Sequence, residues 1–85
     1  MIRKDLYLKL NSAIKSKWIA ELIQKASNFK SSVWIEKDEK KANAKSMLGI
    51  LALEIADGSV ISIIADGEDE DLAVSELKEF VEANA

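Results

Sequence analysis

A chain of 85 residues, 48% apolar and 32% charged, supports one folded domain around one core and leaves too little for a second. It contains neither cysteine nor histidine, which removes disulfides, thiolate chemistry, the usual zinc ligands and the commonest general base, so neither an enzyme nor a bound cofactor or metal is expected. The formal charge of -3 hides an asymmetry, because 11 of the 12 basic side chains precede residue 47 and 10 of the 15 acidic ones follow it.

Residues 2 to 10 alternate, Ile2, Leu6, Leu8 and Leu10 against Arg3, Asp5, Tyr7 and Lys9, which is the period of a half-buried strand with Lys4 as one polar intrusion. From Lys17 to Phe29 the period becomes helical, with Ile19, Leu22, Ile23 and Ala26 on one stripe and Ser16 placed to cap it. Ser32 to Lys37 alternates again, and Asp38-Glu39 turns the chain into a short strand over 40 to 43, a hairpin without the favoured Asn-Gly or Asp-Gly turn. Ser46 is a good N-cap for a short apolar helix from Met47 to about Ile55, after which Asp57-Gly58 breaks the chain. Val60 to Ala65 is β-branched and apolar, as a central strand should be, and Asp66-Gly67 ends it. The last helix carries the stripe Ala73, Leu77, Phe80 and Val81, with Glu68, Asp69, Glu70 and Asp71 at its dipole-positive start.

The order is βαββαβα. Helices joined to hairpin-capable strands bury their stripes by lying together on one face of a sheet, which predicts an α+β two-layer sandwich with no domain boundary between residues 1 and 85. No apolar run approaches the roughly 18 residues of a membrane span and the first five residues lack a leader's apolar stretch, so a cytoplasmic protein is expected. Few aromatics and a negative net charge speak against direct nucleic-acid binding.

Two strings, Asn43-Ala44-Lys45-Ser46-Met47-Leu48-Gly49 and Ala65-Asp66-Gly67-Glu68-Asp69-Glu70, resemble the Lys-Ser-Ile-Met-Gly and Gly-x-Asp-Glu segments of the HPr family of the sugar phosphotransferase system, at the family's spacing and in its order of elements. The resemblance covers essentially the whole chain and implies the HPr-like open-faced sandwich, a four-stranded antiparallel sheet with three helices on one face. In the first loop the chain departs from the family. Where HPr carries Gly-x-His-x-Arg-Pro, this sequence reads Ala13-Ile14-Lys15-Ser16-Lys17-Trp18, so Lys15 stands in the place of the phosphorylated histidine, Lys17 in that of the arginine and Trp18 in that of the proline. With no histidine anywhere, a phosphohistidine carrier is excluded, and the chain is similar in logic to the family's His-less Crh type, from which it differs in carrying Lys15 rather than an uncharged amide.

What the resemblance implies for sites is specific. Ser46 matches the regulatory serine that an ATP-dependent HPr kinase/phosphorylase modifies, and the reader of that phosphoserine is a LacI-type regulator, the catabolite control protein. Met47, Leu48 and Leu51 would supply apolar contact to it and Lys15 and Lys17 a basic rim. Trp18 either joins that surface or buries itself against the first helix. Phosphoserine brings roughly -1.5 to -2 charges to a helix N-terminus, where backbone N–H groups and the dipole favour it, so modification would change the surface without unfolding it. The plainer readings are that Ser46 is only an N-cap and that at least one of Met47, Leu48 and Leu51 is core. The competing function is an HPr-fold adaptor or competitor that is not phosphorylated and binds other phosphotransferase-system proteins.

Overall fold

The computed structural model describes residues 1–83. The first strand, β1 (Ile2–Tyr7), ends three residues before the alternation does, yet Leu8 and Leu10 remain buried because single bonds replace the ladder. The Leu8 N–H donates to the Ser59 carbonyl at 2.8 Å and the Leu10 N–H to Asp57 Oδ1 at 2.8 Å. A 3-10 turn over Ser12–Ile14 then leads directly into α1 (Lys15–Ser27), followed by β2 (Ser32–Lys37), β3 (Lys40–Asn43), α2 (Met47–Ala52), β4 (Val60–Asp66) and α3 (Glu70–Ala83). The expected order and the α+β class are observed.

The strands lie in the order β1-β4-β2-β3, every neighbouring pair antiparallel. Register explains the alternation: Leu6 faces Ile61, while Ile63 sits between Lys4 and Ile35, and Ile35 in turn faces Ala42. These residues share the face covered by the helices, and only Lys4, on the edge strand, escapes to solvent. Leu22, Ala26, Ala73, Leu77 and Val81 close the core from the helix side. The opposite face is open and polar, with Arg3 bonded to Glu36 Oε1 at 2.6 Å and to Ser62 Oγ at 3.0 Å, and Lys41 lying 4.6 Å from the Trp34 ring centroid.

Two local expectations need correcting. Ser16 does not cap α1; it lies within the first turn, the N-cap Ile14 makes no side-chain cap bond, and Asn11 caps the preceding 3-10 turn by accepting from the Ala13 N–H at 2.9 Å. The 3-10 bond from the Ile14 N–H to the Asn11 carbonyl starts the winding at Ser12, so that α1 itself begins at Lys15, two residues before the helical period predicts. The helix after Ser46 stops at Ala52 rather than near Ile55, because Glu54 adopts a φ of 53° and Lys37 Nζ donates to the free carbonyls of Leu53 and Glu54 at 3.2 and 2.8 Å. The charge asymmetry along the chain is partly undone by folding, since Lys30 reaches Glu68 at 4.0 Å and acidic α3 packs beside α1.

Candidate functional site

The residues singled out by sequence converge at the junction of α1 and α2. Ser46 precedes α2 in extended backbone, and its Oγ accepts from the Gly49 N–H at 3.2 Å while its carbonyl accepts from the Ile50 N–H at 3.1 Å. Its own hydroxyl proton has no acceptor among the described residues, and the side chain is half-buried. Gly49 lets the helix sit tightly on the sheet, because a Cβ there would stand 3.3 Å from Ala42 Cβ.

What α2 buries is Ile50, together with the following Leu53. The expectation that one of Met47, Leu48 and Leu51 is core is therefore wrong: they are 45%, 81% and 51% exposed. A six-residue helix lying on a sheet needs little more than one inward side chain, and Ile50 fills that position completely. The outward three form an apolar face that a soluble monomer has no structural need to display.

Opposite this face, Lys15 opens α1, and Lys15, Ser16 and Ile19 form a groove of about 300 Å³ with Met47 and Leu51. The structure thus brings Lys15, Met47 and Leu51 to one groove, with Leu48 exposed on the same short helix and Ser46 at its start. Lys15 has no ion-pair partner among the described residues, whereas Lys17 reaches Glu21 only at 3.9 Å and points to a separate hollow.

Trp18 settles one of the alternatives left open by sequence. Its side chain is 1% exposed and stacked on Phe80, with ring centroids 5.8 Å apart and planes 25° from parallel. The indole therefore offers no direct partner contact, and its place among the contact residues is corrected to that of a packing residue beneath the α1 surface. Proline at this position could not fill the space between α1 and α3, so the substitution adds core rather than surface.

Sequence reasoning missed Lys45 and Ile14. Lys45 Nζ donates to the Phe29 and Ser31 carbonyls at 2.9 and 3.0 Å, tying the segment before Ser46 to the α1–β2 turn; only the fold brings these groups together. Ile14 is 38% exposed at the start of α1, and its position three residues after Asn11, a good cap residue, was the available signal.

The model of the family described as "PTS HPr component phosphorylation site" matches residues 2–83. The chain belongs to the HPr family. It is 40% identical over 82 residues to the HPr-like protein Crh of Halalkalibacterium halodurans, covering 96% of this chain and 98% of that one. The Bacillus subtilis HPr-like protein Crh is 35% identical over 82 residues, 96% of each chain. Among solved structures, HPr-C-His from Thermoanaerobacter tengcongensis superposes with a TM-score of 0.94 at 36% identity, covering 99% of this chain and 94% of that one. HPr-family proteins are phosphocarriers or regulators; in this member Lys15 stands at the head of α1, beside the apolar face of α2, and the chain has no histidine. No helix among the described residues is long and apolar enough to cross a membrane.

Proposed function

We propose that this chain is an HPr-like regulatory protein of bacterial carbon metabolism that cannot carry phosphohistidine and is controlled through phosphorylation at Ser46. The observation that carries the reading is the exposed apolar trio Met47, Leu48 and Leu51 immediately after a serine whose hydroxyl proton is unengaged, in a chain with no histidine. A phosphoryl group on Ser46 Oγ would add charge at the edge of an apolar patch, which makes binding conditional on modification without altering the core. The kinase is an ATP-dependent HPr kinase/phosphorylase and the reader a LacI-type transcription regulator, the catabolite control protein, in the cytoplasm. Met47, Leu48 and Leu51 supply its apolar contact, and Lys15 and Lys17 pair with acidic groups at the rim.

A second reading is favoured by one specific feature: Ser46 Oγ already serves as the acceptor for the Gly49 N–H, so the serine has a sufficient structural role. On that reading the chain is an adaptor or competitor that binds phosphotransferase-system proteins through the same face without modification. Incubation with HPr kinase/phosphorylase and ATP, read by intact mass, separates the two. One added phosphoryl group, lost in Ser46→Ala, supports regulation; none, with HPr modified in parallel, leaves the adaptor.

A further inference from the structure

The six residues of α2 are too few to hold a helix by themselves, because so short a segment closes few bonds for the entropy it gives up. Its last turn winds down through bonds of the tighter 3-10 kind: the Leu53 N–H donates to the Ile50 carbonyl at 3.1 Å and the Glu54 N–H to the Leu51 carbonyl at 3.2 Å. Beyond that turn the carbonyls of Leu53 and Glu54 both accept from one group, Lys37 Nζ, at 3.2 and 2.8 Å. A path of bonds therefore runs from the backbone of Leu51, on the exposed apolar face, through Glu54 to Lys37 at the end of β2.

Two further observations single out this contact. The Lys37 side chain is only 18% exposed, and its ion-pair contact, Asp38 Oδ2, stands at 3.9 Å, beyond hydrogen-bond range, so the ammonium is directed at the end of α2, where the helix dipole favours a cation. Among the described residues the non-glycine positions with left-handed backbone are Asp38, Glu39 and Glu54, and all three adjoin it: Asp38 and Glu39 follow Lys37 directly, and Glu54 supplies one of the carbonyls. Such backbone is costly for a residue with a Cβ and persists where surrounding contacts over-determine it.

We propose that Lys37 is a positioning residue of the apolar face: it fixes the last turn of α2 through the Leu53 and Glu54 carbonyls, and thereby sets Leu51 against the α1–α2 groove. The lysine touches no partner itself. Its consequence, a coupling of the β2–β3 turn to partner binding, rests on the docking role of Met47, Leu48 and Leu51. The core does not depend on it, since Ile50, Leu53 and Ile55 are buried and keep the segment on the sheet without the ammonium.

Lys37→Met removes the donors and keeps the stem, whereas Lys37→Arg keeps donors enough for two carbonyls. In the unmodified full chain, amide exchange in Lys37→Met should quicken about tenfold or more at Leu53 and Glu54 and less than about threefold at Ile63 in the central strand, because a local opening leaves the global one nearly unchanged. The Leu51 methyl resonances should shift in the same variant, and Lys37→Arg should stay near the parent in both readouts. In the Ser46-phosphorylated forms, affinity for the catabolite control protein should fall about tenfold in Lys37→Met and return in Lys37→Arg. Equal quickening at all three amides would reduce Lys37 to a general stabiliser and overturn the proposal. Weaker binding with unchanged exchange would also overturn it, by making the lysine a contact residue, as would faster exchange with unchanged binding. If the phosphorylated parent itself fails to bind, the docking reading falls separately, and the exchange rates and Leu51 methyl shifts alone decide whether Lys37 sets the last turn.

Discussion

The Ser31 hydroxyl donates to Asp69 Oδ1 at 2.5 Å, joining the α1–β2 turn to the start of α3 across 38 residues of chain. The same carboxylate accepts from the backbone N–H groups of Ser31 at 2.9 Å and Lys30 at 2.8 Å, so one side chain ends the loop that precedes β2. Ser31 is fully buried, and its own carbonyl is held by Lys45, so the junction extends to the segment that presents Ser46.

These bonds, the Ser31 hydroxyl first and the Lys30 N–H next, pull the Asp69 pKa down from 3.8 to about 2. A carboxylate whose folded pKa is depressed contributes stability that is fully present above its unfolded value and lost as pH falls through the folded one. The urea midpoint should therefore decline as pH drops from 3.8 towards about 2. Asp69→Asn should lower the midpoint at neutral pH and flatten the decline within that window. A parallel decline in Asp69→Asn and the parent would show that other carboxylates carry the acid sensitivity.

Gly67 adjoins the same junction with a φ of 153°, and a Cβ there would lie 2.7 Å from both Ser31 Cα and Ser31 Oγ. Because backbone and a buried hydroxyl are the obstacles, neither can yield cheaply. Gly67→Ala should cost more than about 1 kcal/mol by denaturant unfolding, from the positive φ and the collision together. The loss should be accompanied by faster amide exchange at Lys30 and Ser31.

The β2–β3 hairpin carries strain that can be removed. Asp38 and Glu39 have φ values of 51° and 67°, the left-handed pair of a two-residue turn that favours Asn-Gly. Replacing Asp38→Asn and Glu39→Gly together should raise stability by about 1 kcal/mol, since left-handed backbone is costly for residues with a full side chain. Thermal unfolding is a sufficient readout, with an increase of a few degrees expected for a domain of this size.

Most of the fold was legible because period and position agree: Ile19, Leu22 and Ala26, or Ala73, Leu77 and Val81, occur at helical spacing and are all buried. The strands Ser32–Lys37 and Lys40–Asn43 fall where their alternation and the acidic turn put them. Boundaries that depend on non-local or irregular bonds were not legible. The early start of α1 rests on Asn11 and a 3-10 turn, and the early stop of α2 rests on Lys37, some 16 residues upstream of the carbonyl it caps. At the candidate site, hydrophobicity alone could not tell Ile50, which is buried, from Leu48 and Leu51, which are not, because in so short a helix the face turned inward is chosen by the sheet beneath it. The burial of Trp18 was equally undetermined, since its partner Phe80 lies 62 residues away.

Ser46 holds a structural bond as well as its proposed regulatory one. Ser46→Ala removes the acceptor for the Gly49 N–H and should cost about 1 kcal/mol, a fall of about 4–8 °C in melting temperature. Ser46→Asp keeps an oxygen at the cap and should melt within a few degrees of the parent. An equal fall in both variants would mean that the cap geometry tolerates only the hydroxyl, and a phosphoryl group on that oxygen would then be expected to loosen α2.

Leu48 separates docking from folding more cleanly than any other residue of the face. At 81% exposure it contributes little to the core, so Leu48→Glu should change stability by no more than about 0.5 kcal/mol. The same change places a carboxylate in the apolar patch, so it opposes an apolar partner surface through the cost of burying that charge. Affinity of the Ser46-phosphorylated protein for the catabolite control protein, measured by titration calorimetry, should fall by about thirtyfold or more, in the range of a central contact residue. Unaltered affinity would move the docking surface off α2, and the exposure of Met47 and Leu51 would then need a different partner.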